Sequence, residues 1–143
     1  MIQFERSVLI DRPIEEVFSF ISDFENEPKW CEEVVETQQT SEGPVEVGST
    51  FIDHVEFMGR TIESTYEILA YERNKSITIE TSAGPVPFVA TYSFDEDEGV
   101  TKLAILAEAE PGGFFKLATP IIRRQLEKQW ERNFASLKQL LES

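Results

Sequence analysis

The hydrophobic pattern of this chain changes period once, near its C-terminal end. Outside residues 13–30, apolar and polar residues alternate in short segments up to residue 110, which is typical of half-buried strands. After Pro111-Gly112-Gly113 the repeat becomes helical from Phe114 to Leu141, about 40 Å at ~1.5 Å per residue. Pro120 either bends this helix or marks where a short leading turn gives way to it. One face of the helix carries Ile122, Leu126, Trp130, Phe134, Leu137 and Leu141.

Ahead of the hairpins, the pattern predicts one strand and two short helices. Ile2 to Ile10 alternates as a half-buried strand. The segment Asp11-Arg12-Pro13 begins a helix, because its aspartate can cap the first turn and its proline is compatible with that turn. The buried stripe of this helix is Ile14, Val17, Phe18 and Ile21. A second short helix lies within Asp23–Trp30 and ends near Pro28, and a strand follows around Val34–Thr40.

The first predicted hairpin joins Thr50–Met58 to Thr61–Ala70 through the two-residue turn Gly59-Arg60. This register places Asp53 opposite Tyr66. Both strands then put their more apolar residues on the same side of the sheet, which supports the pairing. The other facing pairs are Phe51 with Ile68, Val55 with Ser64 and Phe57 with Ile62.

A second predicted hairpin joins Val86–Phe94 to Val100–Ala109 across Glu96–Gly99. Its apolar faces also coincide, so the same argument applies. The facing pairs are Tyr92 with Leu103, Ala90 with Ile105 and Phe88 with Ala107. Between the hairpins, an inward set of Ile77, Ile79 and Thr81 ends at the turn Ser82-Ala83-Gly84-Pro85.

The net charge of the chain argues against two classes of binding partner. There are 27 acidic and 13 basic residues, so the formal net charge is −14. Such a surface repels phosphate backbones and anionic lipids, which argues against nucleic-acid binding and stable membrane association. The acidity serves either solubility or life at high salt, where ions screen the self-repulsion, and composition does not separate the two.

Length and cysteine usage predict one cytoplasmic domain. The 143 residues suit a single domain spanning 1–143. The first residues lack the basic and apolar regions of a signal peptide, and no apolar run reaches the roughly 18 residues of a membrane span. A lone cysteine, Cys31, excludes an internal disulfide. The sequence leaves the oligomeric state open.

Asp53 and Tyr66 are the polar candidates for chemistry. The alternation puts both on the inward face of the sheet, where a phenol can satisfy a buried carboxylate. Such a pair can act as a general acid and base, or it can anchor a hydroxyl or carbonyl group of a ligand. The alternative is a solvated pair near the rim of the sheet.

The other polar residues carry weaker signals. His54 alternates outward and has no second ligand at metal-binding spacing, so it is predicted to be a surface residue. The acidic residues after Cys31 disfavour its thiolate form and therefore a nucleophilic role. Asn133 lies within the arc of the helix stripe and is expected to reach the space under the sheet. We find no phosphate loop, catalytic triad or metal cluster, so no cofactor and no metal is expected. Residues 111–115 are the candidate for a mobile rim, or for a packed connection, and Ser82–Pro87 for a facing lip.

The motifs of this chain span nearly its whole length: Val8–Phe18, Asp23–Trp30, Val47–Phe51, Met58-Gly59-Arg60, Tyr66-Glu67-Ile68 and Leu137–Glu142. In order and spacing they resemble the START-like superfamily, the helix-grip fold of plant pollen allergens and lipid-transfer domains. Within that superfamily the chain is most similar to polyketide cyclase/dehydrase-type proteins.

The resemblance implies an α+β fold in which a seven-stranded curved antiparallel sheet, in the order 1-7-6-5-4-3-2, wraps around the C-terminal helix. It also implies a cavity between sheet and helix, which the family uses for lipids, sterols, polyketides or other apolar molecules. The residues expected to contact such a small apolar ligand are Phe51, Val55, Phe57, Tyr66, Phe88, Tyr92, Leu103, Ile105, Ile122, Leu126, Trp130 and Asn133.

Three functions are compatible with this fold. The first is binding or carriage of a small apolar ligand without catalysis. The second is a cyclase or dehydratase in which Asp53 and Tyr66 steer enolate chemistry, although inward polar groups are few. The third is a module that acts through a protein partner, for which the acidic surface offers no obvious apolar patch. A dry pocket favours the first function, and convergent polar groups with perturbed ionisation favour the second.

Overall fold

The computed structural model describes residues 2–57, 59–84, 87–110 and 119–143, without the side chain of Phe57. Its strands are β1 (Ile2–Ile10), β2 (Val34–Gln39), β3 (Thr50–Phe57), β4 (Arg60–Glu72), β5 (Ser76–Ala83), β6 (Phe88–Asp97) and β7 (Val100–Ala109). Its helices are α1 (Ile14–Ser22), α2 (Glu27–Trp30) and α3 (Thr119–Glu142), with one turn of 3₁₀ helix at Phe24–Asn26 before α2.

The strands form one antiparallel sheet in the order β1-β7-β6-β5-β4-β3-β2. This order, the C-terminal helix and the short helices between β1 and β2 confirm the predicted helix-grip fold. α3 runs along β1 and also contacts α2, and its Trp130 packs against Tyr92 of β6, so it covers the inward face of the curved sheet. Among the described helices, none has both the length and the apolarity needed to cross a membrane.

The first hairpin turns one residue earlier than predicted. Its strands close between Phe57 and Arg60, with Gly59 in the turn at a φ of 78°. Only glycine adopts this left-handed conformation at little cost, which explains why the turn places Gly59 there.

The shifted turn changes which residues of β3 and β4 face each other. Asp53 pairs with Ser64, and Tyr66 pairs with Phe51, so the predicted direct opposition of Asp53 and Tyr66 is wrong. The register moves by two residues, which keeps every side chain on its predicted face. Asp53 and Tyr66 are therefore both inward, as diagonal neighbours. The remaining corrected pairs are Val55 with Ile62 and Phe57 with Arg60.

The second hairpin also differs from the prediction by two residues in register. It closes over Glu98-Gly99 rather than Glu96–Gly99. These two turn residues have φ values of 53° and 81°, as in a type I′ turn, whose twist matches that of the flanking strands. The inward faces are again preserved. The observed pairs are Tyr92 with Ile105, Ala90 with Ala107 and Phe88 with Ala109.

The first two helices begin differently from the prediction. Pro13 occupies the N-cap position of α1, so Asp11 does not cap this helix. Instead, the Ile14 N–H donates a hydrogen bond of 2.9 Å to Oε2 of Glu96, which closes α1 onto β6. Pro28 lies in the first turn of α2 rather than at its end, where a missing N–H costs no helical hydrogen bond.

The long helix α3 begins at Thr119, with Pro120 in its first turn. The proline therefore stands at the beginning of the described helix and does not bend its interior. The predicted beginning at Phe114 lies outside the described residues. The fully buried residues of α3 are Ile122, Asn133, Phe134 and Leu137, while Leu126 and Trp130 are partly buried.

Candidate functional site: a cavity with an apolar and an acidic side

A cavity of about 180 Å³ lies between the sheet and α3. Ala90 on β6 and Ala107 and Ala109 on β7 line it at inward positions, and larger side chains there would fill the space. β1, β7 and β6 form one end of the sheet, and we call this part of the lining the apolar side. Its larger residues are Phe4, Phe88, Ile105, Ile122 and Leu126.

The other part of the lining, which we call the acidic side, contains Glu27, Glu33 and Asp53. Glu27 comes from α2, Glu33 from the connection to β2, and Asp53 from β3. Glu27 and Asp53 are each only 7% exposed. No arginine, lysine or histidine occurs among the described lining residues, so no basic side chain compensates these carboxyl groups.

The pKa of Asp53 is raised to about 6, chiefly because burial removes the carboxylate from water. The nearby hydroxyls of Thr37 and Tyr66 lower this pKa, and the charge of Glu33 raises it. Neither hydroxyl makes a hydrogen bond of good geometry to Asp53, however: Tyr66 donates to Glu27, and both Oγ1 of Thr37 and Oδ1 of Asp53 are unpartnered among the described residues. The carboxyl group is thus close to donors that do not satisfy it.

Glu27 and Tyr66 form a hydrogen-bonded pair within the acidic side. The Tyr66 hydroxyl donates to Oε1 of Glu27 over 3.0 Å. The pKa of Glu27 is raised well above its usual range by burial, then by the charge of Asp53, and the bond from Tyr66 opposes this rise. Burial and the same two carboxyl groups also raise the pKa of Tyr66. Glu27 therefore keeps a proton to a higher pH than an exposed glutamate.

Two further ionisable groups of the lining are held in their neutral forms. Burial and the charge of Glu27 raise the pKa of the Cys31 thiol well above its usual value. The same causes raise the pKa of the Tyr92 phenol. A thiol with a raised pKa is a poor nucleophile, in agreement with the expectation from the sequence.

A bulge in β2 helps to build the acidic side. The pairing of β2 with β3 shifts between Val34 and Glu36, so both Val34 and Thr37 are buried although strict alternation would place them on opposite faces. The shift turns the Thr37 hydroxyl towards Asp53. Oγ1 of Thr37 and Oε1 of Glu33 are likewise buried without a hydrogen-bond partner in the described part of the chain.

Asn133 of α3 fixes the segment that carries Glu33. Its Nδ2 donates to Oε2 of Glu33 over 2.9 Å, and its Oδ1 accepts from the Glu32 N–H at 3.4 Å. Asn133 is buried but does not line the cavity. It holds a lining residue in place instead of reaching the cavity itself.

The family of this protein follows from a sequence comparison. A family model described as polyketide cyclase / dehydrase and lipid transport matches residues 1–142. The chain belongs to this family. No curated protein matches it in sequence.

Solved structures of similar fold extend this result. A START superfamily protein from Mycobacterium smegmatis has a TM-score of 0.82 at 17% identity, covering 99% of this chain and 98% of that one. A protein from Thermus thermophilus has a TM-score of 0.77 at 17% identity, over 98% and 94% of the two chains. An aromatase/cyclase from a Streptomyces strain has a TM-score of 0.75 at 16% identity, over 97% and 90%. At these identities the likeness shows the shared fold.

Eight of the predicted contact residues line the cavity of this polyketide cyclase/dehydrase family member. They are Val55, Tyr66, Phe88, Tyr92, Ile105, Ile122, Leu126 and Trp130. Phe51 stacks on Tyr66 behind the lining with ring centroids 5.3 Å apart, and Leu103 is fully buried in the core. The side chain of Phe57 and residues 111–115 lie outside the described residues, and Ser82–Pro87 is described only in part. That the lining residues contact a ligand stays a prediction.

Glu27, Glu33, Ser64 and Gln129 also line the cavity, and sequence reasoning missed them as lining residues. α2 has only four residues, which is too short for a periodic pattern. One signal was available for Glu27, since Phe24 and Trp30 precede and follow it by three residues and both are buried. Residues three apart share a helical face, so two apolar neighbours could have indicated an inward glutamate.

His54 lies away from this site, on the outer face of β3. Its Nε2 is 3.2 Å from Oε2 of Glu63 on the neighbouring strand β4. Within the described ranges, no set of three histidine, cysteine or acidic side chains is placed to hold a metal ion.

Proposed function

We propose that this family member binds one small, largely apolar molecule in the cavity between the sheet and α3. The observation that carries the proposal is the cavity itself, because apolar and aromatic side chains make up most of its lining. Sites for small molecules usually have this composition, with a few polar groups that orient the ligand. The volume of about 180 Å³ suits a ligand of one or two rings or a short chain.

A pair of matched substitutions tests whether a ligand occupies this cavity. Ala107→Leu adds volume at an inward position of β7, whereas Ala104→Leu adds the same volume on the opposite face of the same strand. We expect naphthylmethanol, a neutral two-ring probe, to bind the native protein and the Ala104→Leu variant equally. Ala107→Leu should weaken binding by at least about tenfold, because the probe and the new side chain compete for one volume.

Isothermal titration calorimetry measures these affinities, and quenching of the tryptophan that lines the cavity gives a second readout. Thermal unfolding of both variants checks that they are folded. Equal binding by the native protein and both variants would place the probe elsewhere and contradict the proposal. Native mass spectrometry of protein purified from its own host then identifies any molecule that co-purifies.

A second candidate function is an enzyme that moves protons next to a carbonyl group. Asp53 favours it, because a carboxyl group with a pKa of about 6 can accept and return a proton near neutral pH. In such a reaction Asp53 would remove a proton from the carbon beside the carbonyl. The bonding electrons would move to the carbonyl oxygen, which the hydroxyl of Tyr66 or a protonated Glu27 would stabilise.

Deuterium exchange separates this enzyme from a carrier. Acetonaphthone in heavy water exchanges its methyl protons if a base removes them, and proton NMR follows the loss of signal. An enzyme should accelerate the exchange, and Asp53→Asn should abolish the acceleration while the ketone still binds. Exchange at the buffer rate with a bound ketone would leave binding without proton transfer as the function.

A further inference from the structure

The acidic side of the cavity has a chemistry that an apolar ligand alone does not explain. Three carboxyl groups converge there, and no basic residue occurs among the described residues that line the cavity. A buried carboxyl group without a basic partner costs stability, so apolar residues of similar size would serve the fold at least as well. The inference below rests on the proposed binding function and concerns the part of the ligand that meets these groups.

Unpartnered oxygen atoms point to a ligand that donates hydrogen bonds. Asp53 is 93% buried, since only 7% of it is exposed, and its Oδ1 has no hydrogen-bond partner among the described residues. Oε1 of Glu33 is buried and unpartnered in the same part of the chain, although Asn133 satisfies its other oxygen. Buried polar groups are nearly always hydrogen-bonded, so two free carboxylate oxygens in one cavity call for donors.

The aromatic residues of the lining favour a cation over a neutral donor. Tyr66, Tyr92 and Trp130 all line the cavity, and the rings of Tyr92 and Trp130 lie 6.2 Å apart. The faces of such rings attract cations, most strongly for tryptophan and when water is excluded. A ligand carboxylate would instead meet the unpartnered carboxyl oxygens of Asp53 and Glu33 and be repelled.

We infer that the ligand carries a protonated primary or secondary amine that lies against Asp53 and Glu33, with its apolar body against β6, β7 and α3. An ammonium group supplies both N–H donors and a compensating charge, whereas an alcohol supplies one donor and no charge. A quaternary ammonium has the charge but no N–H for the free oxygens. The substrate class of the site is thus a small amphiphilic amine.

Three probes with one apolar body test this inference: naphthylmethylamine, naphthylmethanol and naphthoate. Calorimetry at neutral pH gives their dissociation constants for the native protein. We expect the amine to bind at least about tenfold more tightly than the alcohol, the usual effect of a charge-assisted hydrogen bond. Naphthoate should bind most weakly. Alcohol binding equal to or tighter than amine binding would overturn the amine and leave the cavity function intact.

Substitutions of the carboxyl groups then test where the amine of the ligand binds. Asp53→Asn should lower amine affinity to that of the alcohol and leave the alcohol unchanged. Glu56→Gln, which removes one exposed charge from the same strand, is the matched control and should keep the preference. If Asp53→Asn does not fold, Glu33→Gln at the other free oxygen replaces it, with the same expected loss.

Two outcomes separate this inference from the function on which it rests. A preference for the amine that survives both Ala107→Leu and Asp53→Asn would mean that the acidic surface attracts the cation, and it would overturn the inference. Failure of all three probes to bind, together with equal behaviour of the Ala107→Leu and Ala104→Leu variants, would overturn the binding function itself.

Discussion

On the apolar side of the cavity, β7 alternates without interruption, whereas on the acidic side the pairings of β2 with β3 and of β4 with β5 both shift register. The apolar side presents alanine, isoleucine and phenylalanine, as any core would. The acidic side presents three carboxyl groups with raised pKa values. The apolar side thus follows the alternation of apolar and polar residues in the sequence, whereas the acidic side departs from it.

This difference distinguishes the parts of the cavity that hold the fold together from the parts that are organised for a ligand. Apolar side chains stabilise the fold through burial and need no further explanation. Buried carboxyl groups with free oxygens destabilise it, and proteins retain such groups mainly where function requires them. The following predictions test whether stability and binding are divided between the two sides in this way.

The largest loss of stability is expected in the core next to the apolar side, on β6 but outside the lining of the cavity. Phe94 on β6 is buried, and its ring packs against Phe18 of α1 with centroids 5.0 Å apart. Phe94→Ala should lower the free energy of unfolding by about 3–5 kcal/mol, measured by urea denaturation. Leu106→Ala on β7, where the side chain is 40% exposed, is the control and should cost below ~1 kcal/mol. Equal losses in the two variants would contradict the division.

The carboxyl groups of the acidic side should instead lower the stability of the fold, and this loss should depend on pH. Burial raises the pKa of folded Asp53 from 3.8 to about 6. The stabilisation by protonated Asp53 is therefore fully present below pH 3.8, the pKa in the unfolded chain. It is lost as the pH rises through about 6, the pKa in the folded state. The shift corresponds to at most about 3 kcal/mol, and Glu27 and Glu33 act in the same direction. The groups that influence Asp53 are Glu27, Glu33, Thr37, Tyr66 and His54.

Asp53→Asn checks this pH dependence directly. The variant should be more stable than the native protein by about 2 kcal/mol at pH 7.5, and the difference should vanish as the pH falls below 3.8, where Asp53 is protonated in both states. Urea denaturation at four or five pH values measures it. Glu56→Gln, at an exposed position of β3, should follow the native curve. A variant that is less stable than the native protein at pH 7.5 would mean that Asp53 is satisfied in the folded state.

Trp130 lies between the two sides and should show an intermediate effect. Its ring contacts Trp30 and Phe134 but also borders the cavity, so it is only partly buried. Trp130→Ala should cost about 2 kcal/mol, less than the ~3–5 kcal/mol of a fully buried ring. The same change should weaken naphthylmethanol binding. A full loss of stability without an effect on binding would assign Trp130 to the core alone.

Salt should have the smallest effect, and it should act on the surface rather than on the cavity. A net charge of −14 repels itself, and added ions screen exposed charges more than buried ones. Molar sodium chloride should raise the thermal midpoint by about 3 °C, or ~1 kcal/mol. Asp53→Asn should show the same increase, because its charge is buried. A flat or falling midpoint would contradict adaptation to high salt.

Periodicity in the sequence was sufficient to determine which faces of the two hairpins, β3–β4 and β6–β7, are buried. The inward positions Leu103, Ile105 and Ala107 of β7 were predicted correctly although both hairpin registers were wrong by two residues. An even shift preserves the face, so the side of the sheet is more robust to error than the partner across it. The fold class and strand order followed from motifs spread over nearly the whole chain.

Alternation placed Asp53 and Tyr66 inward, but only the tertiary structure decided what else the acidic side contains. Glu27 lies on a four-residue helix, and Glu33 lies in a connection that has no periodic pattern. Thr37 turns inward because of a bulge that alternation does not predict. These residues converge on Asp53 through the approach of α2, β2 and α3 to one end of the sheet. Long-range packing of this kind determines the burial and the pKa values of a site, and neither can be predicted from the local sequence pattern.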